Sequence, residues 1–424
     1  MKYLILVPDG AADVSVDNEK TPLEEAQMPV INGLAKRGRV GLARTIPRGV
    51  APGSDAANLA VLGYDPKKDL TGRSPLEAVS MGIELGDRDV AFRTNLVTLA
   101  GQDAAYKTLT IVDHASGDIS DEEARALIEY LDEAIGSGDP AHEGRLRFYP
   151  GVSYRNALIA RDGTETKNGI GDVFKDHADY ALIPPHDILG RQIGLYLPDK
   201  ENEKYILALM EKSYELLNDH EINKTRVKKG LRPANSIWIW GEGTRPQLSP
   251  ITEKYGVNGT VISAVDLIKG IGICAGLEPV YVEGATGTID TNFKGKGEAA
   301  IDAYLGGKDL AYIHVEAPDE CAHQGSRSGK IKSLERIDED IVAPILAWLE
   351  ENREKTGEEF RMLIVPDHST PVVIRTHTDD PVPYVFFDSA VDTFNEKNAF
   401  TERSAAAGEP IHSGTELADE FFTD

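Results

Sequence analysis

A carboxylate and an imidazole stand side by side at Asp367-His368, directly after the apolar run Met362-Leu363-Ile364-Val365. Such a run reads as a short buried strand, and the end of a parallel strand is where open α/β sheets place their chemistry. Neighbouring oxygen and nitrogen donors suit a divalent cation. A second pair follows the apolar residues 310–315: Asp319 and His323 lie four apart, so one turn of helix puts both on one face. Asp9 follows the apolar residues 3–7, and His412 sits in the small-residue loop Ile411-His412-Ser413-Gly414. Taken singly, each of these has an ordinary counterpart, such as the loop aspartate that caps a turn.

A nucleophile is offered by Ser54, in Ala51-Pro52-Gly53-Ser54-Asp55-Ala56-Ala57-Asn58. Glycine permits a tight turn, and the small residues after it start a helix. The N–H groups and dipole at such a helix start favour an anion, so a hydroxyl there suits attack on a phosphate. A plain N-cap serine has the same local pattern.

These residues need a frame. Strand-like segments are predicted at residues 3–7, 40–46, 90–99, 108–112, 236–240, 280–282 and 310–315, besides 362–365. Helices are predicted at 22–36, after Ser54, at 261–271 and at 331–350. One more begins at Ser120, with Glu123 completing a capping box and Ala124, Leu127, Ile128 and Leu131 at helical spacing. The alternation indicates an α/β fold, a sheet flanked by helices. The texture changes at Asp87 and the first pattern resumes near residue 232. The expected organisation is a core domain of residues 1–86 and 232–424, with a smaller α+β domain, residues 87–231, inserted into it. The basic cluster Lys224, Arg226, Lys228, Lys229 and Arg232 reads as a solvated face.

Composition narrows the function. A chain of 424 residues exceeds one hydrophobic core. Its formal charge of −25 opposes binding to nucleic acid or to an anionic membrane, though local cations leave a small anionic substrate open. Two cysteines, Cys274 and Cys321, argue against a disulfide framework. The first apolar run is too short for a signal peptide, and no span approaches a transmembrane helix. The expected compartment is the cytoplasm. No Gly-x-x-x-x-Gly-Lys loop is present, so no nucleotide is expected.

In order and setting, these segments resemble the alkaline phosphatase superfamily of metal-dependent phosphoryl-transfer enzymes. More closely, they resemble its cofactor-independent phosphoglycerate mutases, in the short form typical of archaea. The matching pieces are Pro8-Asp9-Gly10-Ala11-Ala12-Asp13, Gly53-Ser54-Asp55-Ala56-Ala57-Asn58, Leu62-Gly63-Tyr64-Asp65-Pro66, Trp238-Ile239-Trp240-Gly241, Asp319-x-x-x-His323, Pro366-Asp367-His368 and His412-Ser413-Gly414. The resemblance spans nearly the whole chain and implies an alkaline-phosphatase-like sheet holding two divalent metal ions. Asp319, His323 and His412 would form one metal site; Asp9, Asp367, His368 and the Ser54 oxygen would form the other. Manganese comes first among the metals, with zinc, magnesium or cobalt also suited to such donors.

Ser54 would then accept the phosphoryl group of phosphoglycerate and return it to the other hydroxyl of glycerate, without bisphosphoglycerate. The inserted domain would hold the glycerate and exclude water. From it, Arg93 and Arg155 would bind carboxylate and phosphate, and His114 would act as general acid and base. Lys269 would reach the phosphate. The same scaffold could phosphorylate another hydroxyl, as in a homoserine-kinase-like enzyme, or act as a phosphomonoesterase. A metal-stabilised binding protein is the reading from a different class. The sequence sets no oligomeric state.

Overall fold

The structure is a computed structural model that describes residues 1–17, 19–101, 105–139, 142, 144–161, 180–391 and 393–423. The chain divides into two compact units, Met1–Leu70 with Gln247–Asp424, and Thr71–Pro246. An insertion was expected, but with boundaries after residues 86 and 231. Strand pairing moves them. Residues Ser236–Thr244, with the Trp238-Ile239-Trp240 motif assigned to the core, pair along Val90–Ala100 of the insert. The helix Ser74–Ser80 also packs on those two strands.

The first unit is built on a seven-stranded sheet. Numbering the strands of the whole chain in order, it contains β1 (Lys2–Pro8), β2 (Arg39–Ala43), β8 (Gly259–Ile262), β9 (Glu278–Val280), β10 (Leu310–Val315), β11 (Phe360–Ile364) and β12 (Val382–Asp388). Their order across the sheet is β2-β12-β11-β1-β10-β8-β9. From β11 to β9 neighbouring strands run parallel; β12 is antiparallel to β11, and β2 to β12. The central strands are apolar without alternation because helices cover both faces: Leu4 to Val7, Leu310 to Ile313 and Met362 to Ile364 are all fully buried. Residues 261–271, expected as one helix, divide into β8 and the helix Asp266–Cys274. A short apolar run such as Val261-Ile262 cannot be assigned by periodicity alone, and Ser263 ends it by accepting the Val265 N–H.

The second unit has a five-stranded antiparallel sheet of β3 (Val90–Ala100), β4 (Thr110–Asp113), β5 (Leu146–Val152), β6 (Arg155–Ala160) and β7 (Ser236–Thr244). β3 pairs with β7 and also with β6 and β4, and its apolar face meets the helices Asp121–Ile135 and Lys204–Leu217 in a separate core. Ser120 caps the first of these helices by accepting the Glu123 N–H. The Glu123 carboxylate instead binds Arg226, which is buried rather than part of a solvated basic face.

Candidate active site

Three adjacent parallel strands, β11, β1 and β10, end together, and each is followed by candidate residues. Asp9 follows β1. Asp319 and His323 lie on the helix Ala317–His323 after β10, and Asp367-His368 follow β11. The sheet thus gathers at one edge what the sequence spreads over some 360 positions.

The loops are tied tightly. The buried Lys330 ammonium donates to the Ala12 carbonyl (3.1 Å), the Thr370 carbonyl (2.9 Å) and the Asp13 carboxylate (2.9 Å), joining the loop after β1 to that after β11. Gly10 has φ +59°, and a Cβ there would lie 2.5 Å from Asp319 Oδ1, so only glycine allows this approach. The Thr370 hydroxyl donates to Asp319 Oδ1 and lies 3.2 Å from His368 Nδ1.

Ser54 is the first residue of the helix Ser54–Val61, and its Oγ lies 3.1 Å from His368 Nε2. One turn on, the Asn58 amide donates to the Ser54 carbonyl (2.8 Å) and to Asp367 Oδ2 (3.1 Å), while its own oxygen accepts from the buried Tyr312 hydroxyl. Helix and β11 loop are thereby locked in register at the hydroxyl.

Around this hydroxyl the donors fall into overlapping groups: Asp319, His323 and His377; Asp9, Asp319 and His368; Asp9, His314 and Asp367. His323 Nε2 is 3.1 Å from Asp319 Oδ2 and 3.0 Å from His377 Nε2. His368 Nε2 lies 3.6 Å from Asp9 and 3.4 Å from Asp367. Two of these donors were not expected from the sequence. His377 stands where His412 was placed; the exposed His412 is absent from these groups, and its backbone N–H binds Glu416. His314 is a fully buried imidazole inside β10, 3.1 Å from Asp9 Oδ2. Each left a trace in the sequence. A histidine inside an otherwise apolar strand needs a partner, and His377 lies in the loop between β11 and β12, nine residues past His368.

The electrostatics are those of a cation site. Burial, and then the charges of Asp367 and Asp319, push the Asp9 carboxyl well above its usual range. Burial also holds the His314 imidazole down at about 4. Burial opposes the ionised form of Asp319 too, but hydrogen bonds from His323 and His377 outweigh it and keep this carboxyl low. The hydrogen bond to Asp319 lifts His323 to about 9. Asp9 Oδ1 is buried without a hydrogen-bond partner. A buried carboxylate oxygen left unpaired among three aspartates is costly unless a cation meets it. The donor set therefore fits divalent metal.

The expected substrate residues are divided between the two units. Lys269, in the first unit, pairs with Asp266 at 2.7 Å. In the second unit Arg93 pairs with Glu77 at 2.9 Å, Arg155 is exposed beside the Tyr154 ring, and His114 follows β4 with its Nδ1 buried and unpartnered. Among the described residues no helix is long and apolar enough to cross a membrane.

Comparison with known proteins gives the chain's family. The family model for 2,3-bisphosphoglycerate-independent phosphoglycerate mutase matches residues 35–223. A probable 2,3-bisphosphoglycerate-independent phosphoglycerate mutase of Geobacter sulfurreducens is 45% identical over 422 residues, covering 99% of both chains. The 2,3-bisphosphoglycerate-independent phosphoglycerate mutase of Methanosarcina barkeri is 45% identical over 412 residues, 96% of each. Among solved structures, a Pyrococcus horikoshii protein superposes with a TM-score of 0.77 at 28% identity, over 99% of this chain and 97% of that one. The cofactor-independent phosphoglycerate mutase of Thermoplasma acidophilum shares the fold, with a TM-score of 0.65 at 24% identity over 99% and 98%. With 45% identity sustained along its whole length, the chain belongs to the 2,3-bisphosphoglycerate-independent phosphoglycerate mutase family.

Proposed function

We propose that this chain is an isomerase that interconverts 2- and 3-phosphoglycerate, with Ser54 as the transient phosphoryl acceptor. The observation that carries this reading is the Ser54 hydroxyl, at the start of a buried helix, 3.1 Å from an imidazole belonging to the metal-type groups. A structural metal site has no use for such a hydroxyl.

Asp319, His323 and His377 would hold one divalent cation. Asp9, Asp367, His368 and the Ser54 oxygen would hold the other, and manganese is the metal we propose. Bound there, the cations supply positive charge that lowers the pKa of the serine hydroxyl and neutralises phosphoryl oxygens. Ser54, its proton lost to solvent at the lowered pKa, attacks the phosphorus in line as the alkoxide, and the bond from phosphorus to the glycerate oxygen breaks; the return transfer regenerates the same alkoxide. His114 gives that oxygen a proton. After glycerate turns, His114 takes the proton of its other hydroxyl, which recovers the phosphoryl group from Ser54. Arg93 and Arg155 hold the acid, and Lys269 serves the phosphate. The cytoplasm is the proposed compartment, and both cysteines are free thiols, as a reducing environment allows.

The test is an assay of both phosphoglycerates, without bisphosphoglycerate, on dialysed protein reloaded with each metal. Ser54→Ala should lower turnover by more than about 10⁴-fold, the scale of nucleophile deletions, with its melting point kept. A nucleotide requirement would indicate a kinase, and phosphate release at the rate of isomerisation a phosphatase. Unchanged turnover in Ser54→Ala would remove the phosphoserine step.

A further inference from the structure

In the second unit, one polar face of the sheet carries a compact group of side chains. Arg93 and Asn95 are two residues apart on β3, and Trp240 of β7 is the register partner of Arg93. The Arg93 guanidinium lies 4.7 Å from the Trp240 ring centre. The Trp240 indole N–H donates to Asn95 Oδ1 (3.0 Å), and the Asn95 amide donates to the His114 carbonyl (3.1 Å). A second imidazole completes the group. His186 presents its ring edge-on to Trp240 at 5.5 Å and to His114 at 6.2 Å.

The placement of His186 is built in. It sits on the single turn Pro185–Ile188, pinned by the buried Pro185 and Ile188. Immediately afterwards, Gly190 N–H donates to the Ile111 carbonyl (2.8 Å) and Ile111 N–H to the Arg191 carbonyl (3.1 Å). One short ladder on β4 therefore fixes both imidazoles. Burial, together with the neighbouring His114 and Arg93, holds His186 below its ordinary value against the pull of Asp187. His114 Nδ1 is buried with no hydrogen-bond partner. Arg93 already pairs with Glu77 at 2.9 Å and His186 lies 3.6 Å from Asp187, so these carboxylates offset part of the repulsion among two imidazoles and a guanidinium when charged. A further oxyanion would act where His114 Nδ1 has no hydrogen-bond partner.

We propose that His186 is a substrate-binding residue, which with His114 and Arg93 takes the carboxylate of a three-carbon hydroxy acid against the Trp240 ring. This assignment rests on the mutase reading, which supplies the acid. Half of the His186 side chain is exposed, so His186→Gln should fold, with the melting point as control. The measurements are KM for 3-phosphoglycerate and the competitive inhibition constants of D-glycerate, which keeps the carboxylate and lacks the phosphate, and of inorganic phosphate. In His186→Gln, KM and the D-glycerate constant should rise about tenfold or more, as for a lost charge-assisted hydrogen bond, with the phosphate constant unchanged. An unchanged D-glycerate constant overturns the proposal. So does a rise in both constants together, which would mean a phosphate contact or a general disturbance. If the wild-type chain interconverts nothing, the mutase reading fails separately, and calorimetric titration of the same two proteins with D-glycerate still decides the role of His186.

Discussion

The metal-type donors of the first unit are built differently around Asp9 and around Asp319. Around Asp9 the site is closed: the side chains of Asp367 and His368 have no exposed surface and that of Asp9 only 3%. Its members follow neighbouring strands whose register is fixed by the sheet, and Asn58, Lys330 and Thr370 hold the loops between them. Around Asp319 the site is open: the His323 side chain is 35% exposed and that of His377 22%. Here positioning depends on a loop. His323 Nδ1 lies 3.0 Å from the carbonyl of Arg375, a non-glycine residue at φ +60°, whose guanidinium lies against Gly325. Left-handed backbone in a non-glycine residue costs energy, and next to a metal-type histidine it marks a position held for a purpose. The closed group is made rigid by the fold; the open one is completed by a strained clip, and is the one expected to exchange its ion.

The sharpest break of this comparison is His377→Ala. It should weaken one of two cation-binding steps by at least about 100-fold in calorimetry on the metal-free protein, beyond the usual cost of an outer-shell partner. His412→Ala should leave both steps unchanged. Equal effects of the two variants would return His412 to the site.

Next comes Asn58→Ala in the closed group. It strands the Tyr312 hydroxyl and one bond of Asp367, so unfolding should become easier by about 1–3 kcal/mol in a denaturant titration. A neutral result would mean that the lock is dispensable.

Gly325→Ala should act on the open group alone. Gly325 has φ +71°, so an added Cβ strains the turn just past His323, besides pushing aside the Arg375 guanidinium at 2.6 Å; that same cation step should weaken by about tenfold, without touching the other.

The smallest effect is one of pH. His323 is raised from 6.5 to about 9, so it stabilises the metal-free fold fully below 6.5 and loses that contribution as pH rises to about 9. Melting points of metal-free protein should fall across this window, and His323→Gln should flatten the slope.

Much of this was legible because strands and ligands announce each other. Asp9, Asp319 and Asp367-His368 each follow an apolar run, and such runs become the parallel centre of the sheet. His377 follows no strand and shares no helix turn with another donor; its place depends on a loop folded back by pairing of Ser369 with Thr378. His412 sat in an equally plausible loop, but its segment pairs at Ala43, beyond β12 and away from the three strands that gather the donors. The unit boundary was missed for a related reason. Trp238-Ile239-Trp240 reads as a strand, and nothing local says which sheet receives it.

The position of β1 has a consequence for synthesis. This strand has both its neighbours, β10 and β11, more than 300 residues downstream, so on the ribosome it waits unpaired while the residues between are translated. Residues Thr71–Pro246 form a contiguous compact unit whose sequence is complete before β10 is made. Closing the first sheet is then the late, long-range event, the one a chaperone would have to guard.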